Sequence, residues 1–217
     1  MDASSQETFG WSAPIPERRR RGATPELTVG RSSYSHVVGF DDGSFDKYSQ
    51  RYVPVVGAVF SGLRLEGVLT GRVTADGANA TRVLIEMVAG SKFAAQLQLV
   101  LLQGIALGGF NVVDLHRLHE ALGLPVIVVA RRRPRLEKIR EALLTRVPGG
   151  ARKWALIERL GPMERLAGVY VQRLGLSRDE AERVIRQLSV NANIPEPLRT
   201  AHLIAGGIAT GQSRGRP

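Results

Sequence analysis

The sequence predicts an α/β protein in which one mixed β-sheet is flanked by helices. Three strand-like segments come first and are joined by short polar turns, as is typical of an antiparallel set. Short apolar runs then alternate with amphipathic segments, the order expected when parallel strands are linked through helical crossovers. With 217 residues, 43% of them hydrophobic, the chain is long enough to bury the core that such a layered fold needs.

The antiparallel part begins with an apolar strand at residues 35–40, which runs directly into Asp41 and Asp42. A second strand is predicted at 53–61 and a third at 63–74, because both are rich in β-branched and apolar residues. Only a Ser-Gly turn separates these two segments, so we expect them to pair as a hairpin.

The parallel part alternates helices with strands that are apolar throughout, a pattern that indicates burial on both faces. Asp76-Gly77 forms a turn, and Asn79 is expected to cap the helix that follows. In the next helix we expect Asn111 as the N-cap, Asp114 at the third helical position and Gly123 as the end. The remaining predicted strands are at 97–102, 125–130 and 169–172. Helices are predicted at 135–145 and 152–160. Two more helices are predicted, one after the capping box that starts at Ser177 and one after Pro195.

Domain organisation follows from a change of composition near residue 34. Residues 1–34 are rich in Ser, Pro and Arg and show no apolar period, which predicts a disordered tail. Residues 35–217 carry all the predicted strands and helices, so they are expected to form one domain.

The charge of the chain predicts an anionic partner. There are 30 Lys and Arg residues against 20 Asp and Glu residues, a formal net charge of +10. Between residues 127 and 153 the chain has nine basic residues and two acidic ones, beginning at the end of a predicted central strand. A solvated helix face is one explanation of this block. The large excess of basic over acidic residues favours the other explanation, which is contact with nucleic-acid phosphates.

Composition also excludes several classes of function. The chain contains no cysteine, so it has no disulfide, no thiolate zinc site and no cysteine nucleophile. No segment reads as a secretory signal, and no apolar run reaches the length of a membrane span. We therefore expect a cytoplasmic protein that does not act at a membrane.

Four carboxylates are candidates for metal-dependent chemistry, although each also has a plain structural explanation. Asp41, Asp42 and Asp76 follow strands, where they are also typical turn residues, and Asp114 suits the first turn of a helix. Because the first and fourth strands are expected to be neighbours, these carboxylates and the loop at 103–114 converge at one sheet edge. Convergent carboxylates repel one another unless a cation lies between them, which predicts Mg²⁺ or Mn²⁺ and hydrolysis of a phosphodiester.

Several motifs resemble those of the archaeal endonuclease dU family, which is related to endonuclease V within the RNase H-like fold. The resemblance covers the chain from about residue 34 to its end. The matching segments are VGFDDGSF at 38–45, DGANAT at 76–81, QGIALGGFNVVD at 103–114, GLPVIVV at 123–129 and IPEPLRTAHL at 194–203. The resemblance implies an RNase H-like layered fold, with antiparallel strands 1-2-3 extended by parallel strands and helices on the sheet.

The resemblance also implies roles for individual residues. Asp41 and His202 fall on catalytic positions of endonuclease V, and Asp76 takes the place of its catalytic Glu, with Glu86 as the alternative. Gln103 stands where a metal-binding Asp is expected, so one metal ligand is missing or replaced. The predicted sets are Asp41, Asp76 and His202 for catalysis, Asp41, Asp42, Asp76 and Asp114 for the metal, and Gln103, Asn111, Arg131, Arg132, Arg133 and Arg199 for the substrate.

The function that the resemblance implies is a metal-dependent endonuclease of DNA repair. It would act as a monomer, extrude a deaminated base, chiefly deoxyuridine, and cleave a nearby phosphodiester of the DNA. The alternative is an RNase H-like protein that binds nucleic acid without cleaving it, an interpretation that the neutral Gln103 favours. Retention of Asp41, Asp42, Asp76, Asp114 and His202 favours the nuclease.

Overall fold

The computed structural model describes residues 34–46, 49–190 and 193–213. The predicted tail lies outside these ranges except for Tyr34, so its disorder stays a prediction. Within the described residues a seven-stranded sheet has the order β3-β2-β1-β4-β7-β9-β8, and a two-stranded sheet pairs β5 with β6. The strands are β1 (His36–Asp42), β2 (Tyr52–Ser61), β3 (Arg64–Thr74), β4 (Leu99–Gln103), β5 (Ala106–Leu107), β6 (Asn111–Val112), β7 (Val126–Ala130), β8 (Glu164–Leu166) and β9 (Val169–Leu174).

The helices complete an α/β layered fold and confirm the predicted fold class. They are α1 (Ala80–Ala89), α2 (Leu115–Leu122), α3 (Leu136–Arg146), α4 (Gly150–Arg159), α5 (Arg178–Leu188) and α6 (Glu196–Thr210). β1 pairs antiparallel with β2, β2 pairs antiparallel with β3, and β4 and β7 extend the sheet in parallel, as predicted. β9 instead runs antiparallel to β7, and it forms a hairpin with β8 whose turn has positive φ at Ala167 and Gly168.

The sheet separates two hydrophobic cores, as the alternation of side chains along a strand requires. Val38 and Phe40 of β1 face the core that α1 and α2 complete, whereas Val37 faces the core that α5 completes. Among the described residues, no helix combines the length and apolar character needed to cross a bilayer.

Helix α6 lies directly on β1, and this contact positions the candidate site. A Cβ atom on Gly39 would lie 2.6 Å from the carbonyl carbon of Pro197, so only glycine permits such a close approach. Ala201 and Ala205 of α6 pack with β2. Gly39 of β1 and the small residues Ala201 and Ala205 of α6 therefore allow the helix to lie close to the sheet, which places His202 over the carboxyl end of β1.

Two local predictions are wrong near the glycine-rich loop. Asp114, and not Asn111, is the N-cap of α2, and its side chain accepts a hydrogen bond from the Arg117 amide. Asn111 lies in the β5–β6 hairpin, which fills the stretch where a helix start was predicted. In addition, β1 extends through Asp41 and Asp42, because both residues still pair with β2.

The capping box of α5 leads to a stability prediction. The Ser177 hydroxyl accepts a hydrogen bond from the Glu180 amide while the Glu180 carboxylate accepts one from the Ser177 amide. Ser177→Ala is expected to lower the free energy of unfolding by about 1 kcal/mol, measured by urea denaturation.

The pH dependence of this effect has a defined sign. Hydrogen bonds from the Ser177 amide and, second, from the Ser177 hydroxyl lower the pKa of the Glu180 carboxylate in the folded state, and Ser177→Ala removes the contribution of the hydroxyl. The contribution is therefore fully present above the ordinary pKa of a glutamate, about 4.3, and disappears as the pH falls through the lower pKa of the folded state. A loss of stability in Ser177→Ala that did not shrink in acid would contradict this origin.

Candidate active site

A cleft of about 450 Å³ opens at the carboxyl ends of β1 and β4. These strands are parallel neighbours, so their carboxyl ends meet at the same sheet edge. Helix α6 contributes the third side of the cleft. The residues that line it are Asp41, Asp42, Gly43, Ser44, Phe45, Gln103 and His202.

The centre of the cleft is a hydrogen-bonded pair. His202 Nδ1 lies 2.7 Å from Asp41 Oδ2, and Asp41 Oδ1 accepts a hydrogen bond from the Asp42 amide. Asp41 is only 5% exposed, and this burial raises the pKa of its carboxyl, although the contact with His202 opposes the rise. The hydrogen bond to Asp41 raises the pKa of His202. The contact through Nδ1 therefore fixes the orientation of the imidazole, and the second ring nitrogen, Nε2, takes no part in this pair.

Asp42 supplies a second carboxylate with a different environment. Its Oδ2 accepts a 2.9 Å hydrogen bond from the Gly108 amide, which ties the end of β1 to the glycine-rich loop. Burial raises the pKa of Asp42 to about 6, with a further contribution from the charge of Asp41 and an opposing one from the Gly108 amide. The cleft thus holds two adjacent carboxylates that are poorly solvated.

Gln103 presents an oxygen atom that has no partner. Its Oε1 is buried and accepts no hydrogen bond from the described residues, although the side chain lines the cleft. A buried acceptor without a donor costs about 1–3 kcal/mol, so a ligand that uses this oxygen would stabilise the site. The amide oxygen of Gln103 and the carboxylates of Asp41 and Asp42 form a set of hard oxygen donors, which fits Mg²⁺ or Mn²⁺.

The predicted four-carboxylate cluster is not assembled. Among the residues that the structure describes, no group of three or more His, Asp or Glu side chains is placed to hold a metal ion. Magnesium sites in nucleic-acid enzymes commonly use only one or two protein carboxylates and are completed by water and by phosphates of the substrate. Asp41, Asp42 and the Gln103 oxygen match that smaller requirement.

A substitution tests the role of the Gln103 oxygen. Gln103→Glu keeps the side-chain length and adds a charge, so we expect Mg²⁺ to bind about tenfold more tightly in calorimetric titration without DNA. Two unit charges 4 Å apart attract by about 1 kcal/mol even in water and by more in a partly buried site. Gln98→Glu is the matched control, because Gln98 Oε1 accepts from Ser35 at the opposite end of β4. Equal Mg²⁺ affinity in both variants would place the metal away from Gln103.

Asp76 lies outside the cleft lining and has a structural role in the glycine-rich loop. Its Oδ1 accepts a 2.7 Å hydrogen bond from the Phe110 amide, and its own amide donates to Gly108 O. Asp76 has a φ of 51°, and a Cβ atom on Gly109 would collide with its carboxylate. The carboxylate thus holds the loop, and Asp76 is not among the residues that line the cleft, so its predicted metal contact stays a prediction.

Lys153 belongs to the basic block of the sequence, but it is not a surface residue. It is 6% exposed, and its Nζ donates a 2.6 Å hydrogen bond to the main-chain oxygen of Asp76. Burial lowers the pKa of this lysine, and the nearby Asp76 carboxylate opposes the change. Lys153 therefore anchors α4 to the Asp76 turn and offers no contact to a phosphate.

Two other predicted site residues have structural roles. Asn111 is fully buried, and its side chain bonds to the Ala80 amide, Thr74 O and the Asn79 side chain, so it has no surface for a substrate. The Asp114 carboxylate caps α2 and points to its backbone. Asn79 begins α1 as predicted, but its side chain makes no cap hydrogen bond, because it bonds Asn111 and the Thr74 amide instead.

The remaining predicted residues lie on the surface or near it. Arg131, Arg132 and Arg133 are exposed and follow β7 directly, at the same end of the sheet as the cleft. Arg199 forms an ion pair with Glu196, at 2.7 Å, one turn before His202. Glu86, the alternative to Asp76, pairs with Arg82 on the exposed side of α1 and does not line the cleft.

A second cavity, of about 260 Å³, lies at the same end of the sheet as the cleft and was not predicted from the sequence. Its walls are mainly apolar side chains of the glycine-rich loop, β7, α3 and α4, together with Phe110 and Gln172. The signal in the sequence is a glutamine at position 172, directly after the apolar residues 169–171 of the predicted strand. That signal is not sufficient, because the cavity is formed by segments far apart in the sequence.

Comparison with known proteins places the chain among a group of similar sequences. A family model described as endonuclease dU matches residues 33–209. A UPF0215 protein of Deinococcus radiodurans is 57% identical over 203 residues, which cover 94% of this chain and 98% of the relative. A UPF0215 protein of Methanothermobacter thermautotrophicus is 44% identical, with 82% of this chain and 90% of the relative covered.

Solved structures show the same architecture. A protein of unknown function from Archaeoglobus fulgidus is 38% identical, with a TM-score of 0.76, and the match covers 81% of this chain and 99% of that one. Endonuclease V of Bacillus subtilis is 13% identical, with a TM-score of 0.50 and 79% of each chain covered. At that identity the likeness concerns the fold alone, and it confirms the predicted RNase H-like fold.

Proposed function

The chain belongs to the endonuclease dU family of nucleases, and we propose that it is a metal-dependent endonuclease that cleaves DNA at or near deaminated bases, chiefly deoxyuridine. The observation that carries the proposal is the Asp41–His202 pair in the cleft, at 2.7 Å, beside Asp42 and the unpartnered Gln103 oxygen. A buried acid–imidazole pair next to oxygen atoms that suit a divalent cation fits metal-dependent hydrolysis of a phosphodiester.

Some residues of the cleft are proposed to bind the metal, and His202 is proposed to transfer a proton. Asp41, Asp42 and Gln103 would hold Mg²⁺ or Mn²⁺, which when bound activates water and stabilises the leaving oxygen. Asp41 also fixes the orientation of His202 through Nδ1. His202 Nε2 then holds the proton that the leaving oxygen needs.

The surroundings of the cleft support DNA as the substrate. Exposed arginines follow β7 at the same sheet edge, where they suit the phosphates on either side of the cleaved bond. The apolar cavity lies near the cleft at the carboxyl end of β4, where Gln103 lines the cleft and the next residue, Gly104, lines the cavity. A base extruded from the helix would enter that cavity while its phosphate stays in the cleft.

The proposal is tested with labelled duplexes that contain uracil, hypoxanthine or only normal bases, each incubated with Mg²⁺, Mn²⁺ or EDTA. We expect metal-dependent nicking of the uracil duplex above the others. Binding of the uracil duplex without nicking in either metal would favour the second candidate, a binding protein, for which the neutral Gln103 is the specific observation.

The arginines after β7 lead to a prediction on salt dependence. Replacing Arg131, Arg132 and Arg133 by Ala should weaken DNA binding and reduce the log–log salt slope by about one unit for each phosphate that is no longer neutralised. The measurement is fluorescence anisotropy in EDTA from low to high salt.

The matched control removes the same charge from α5. The variant with Arg178, Arg183 and Arg186 replaced by Ala loses three exposed arginines on that helix. It should keep the wild-type slope, because local phosphate contacts and not the net charge determine the number of released counterions. Equal slopes in the two triple variants would place the DNA elsewhere.

A further inference from the structure

Gln172 is a buried polar residue in the apolar cavity. It lies in β9 opposite Val128 of β7, is 5% exposed, and lines the cavity with Val128 and Phe110. Its Nε2 donates a 2.6 Å hydrogen bond to the main-chain oxygen of Gly161. A polar side chain at such a position is costly unless its hydrogen-bonding groups are used.

The orientation of the Gln172 amide follows from that hydrogen bond. A carbonyl oxygen can only accept, so the Gln172 atom next to Gly161 O must be the NH₂ group. The only side-chain hydrogen bond of Gln172 within the part of the chain that the structure describes is this one from Nε2, so Oε1 accepts none there. The cavity therefore contains a side-chain acceptor whose direction is fixed and which is available to a ligand.

A lone acceptor suits the chemical change that deamination makes in a base. Cytosine N3 and adenine N1 are hydrogen-bond acceptors, whereas the same positions in uracil and hypoxanthine carry N–H donors. We infer that Gln172 Oε1 accepts the ring N–H of an extruded deaminated base and thereby selects it over the parent base. This inference rests on the proposed function and names the residue that distinguishes uracil from cytosine and hypoxanthine from adenine.

The cavity has the other features that a base requires. The ring of Phe110 offers an aromatic surface, and the remaining walls are apolar, so a planar base gains contact on its faces. The wall shared with the cleft is thin: a Cβ atom on Gly109, which lines the cavity, would lie 3.3 Å from Cζ of Phe45, which lines the cleft. A parent base in this cavity would place its own acceptor against Oε1, a repulsive contact that leaves both groups unpaired.

The test compares wild type with Gln172→Met, which conserves the unbranched shape and removes the acceptor. Binding to duplexes with a single uracil or the matched cytosine is measured in EDTA, and cleavage in Mg²⁺ or Mn²⁺; hypoxanthine and adenine form a second pair. We expect the preference for the deaminated base to fall about 10- to 100-fold in both pairs. Val171→Ala is the control, because Val171 packs in the core on the other face of the sheet and affects stability without touching the cavity.

The outcomes separate this inference from the proposed function. The role of Oε1 is supported if Gln172→Met loses the preference for the deaminated base while Val171→Ala keeps it, and if binding of Gln172→Met to undamaged DNA is unchanged. Cleavage of uracil DNA with the same discrimination in wild type and Gln172→Met overturns the inference and leaves the nuclease proposal intact. Discrimination in binding without cleavage overturns the nuclease proposal alone, and a wild type that neither discriminates nor cleaves overturns both.

Discussion

Asp41→Asn is expected to reduce cleavage of uracil-containing DNA by more than about 10⁴-fold. The substitution keeps the volume of the side chain and removes the charge at the centre of the cleft, where Asp41 both contacts His202 and faces the space suited to the metal. A single positioned acid–base group contributes about 10²–10⁴-fold, and loss of the metal also removes the activated water. Single-turnover nicking at saturating Mg²⁺ measures the effect.

The folded state should tolerate this change. Burial raises the pKa of Asp41, which means that the carboxylate is less favourable in the folded protein than in water, so a neutral amide avoids that part of the cost of burial. The thermal midpoint and the DNA affinity in EDTA should therefore stay near those of wild type. Asp114→Asn is the matched control, since Asn caps a helix as well as Asp does. If the Asp114→Asn variant were inactive, the result would support the prediction that Asp114 binds the metal.

His202→Ala is expected to lower the cleavage rate by about 10²–10⁴-fold while the Michaelis constant changes little. The imidazole lies over the carboxyl end of β1, held by Asp41, and its loss removes the group proposed to carry the proton to the leaving oxygen. Steady-state kinetics on uracil DNA separates the two parameters.

A second histidine provides the control for His202. His119 Nδ1 makes a 2.7 Å hydrogen bond to Leu124 O at the end of α2, a bond of the same length with no access to the cleft. His119→Ala should lower stability by about 1 kcal/mol and leave the cleavage rate unchanged. If His119→Ala and His202→Ala lowered the rate equally, the effect of His202 would be one of stability.

Local sequence patterns were sufficient for most of the fold. The apolar runs of β1, β2, β4 and β7, the alternation in β3 and the capping box at Ser177 each act over a few neighbouring residues. Their predictions are confirmed because nothing in the tertiary structure competes with them. The N-cap at Asn111 failed for the opposite reason: the amide of Asn111 makes long-range bonds to Thr74, Asn79 and Ala80, which outweigh a local cap.

For the candidate site, the amino-acid pattern alone was enough to predict that Asp41 and Asp42 follow a buried strand, and the order of the strands was enough to predict that the ends of β1 and β4 meet. Their proposed roles stay predictions. Only the tertiary structure distinguished the carboxylates that face the cleft from those that hold the backbone, Asp76 at the loop and Asp114 at α2. The physical reason is the separation of the partners along the chain. His202 is 161 residues from Asp41 and Lys153 is 77 residues from Asp76, so no local pattern specifies which groups meet.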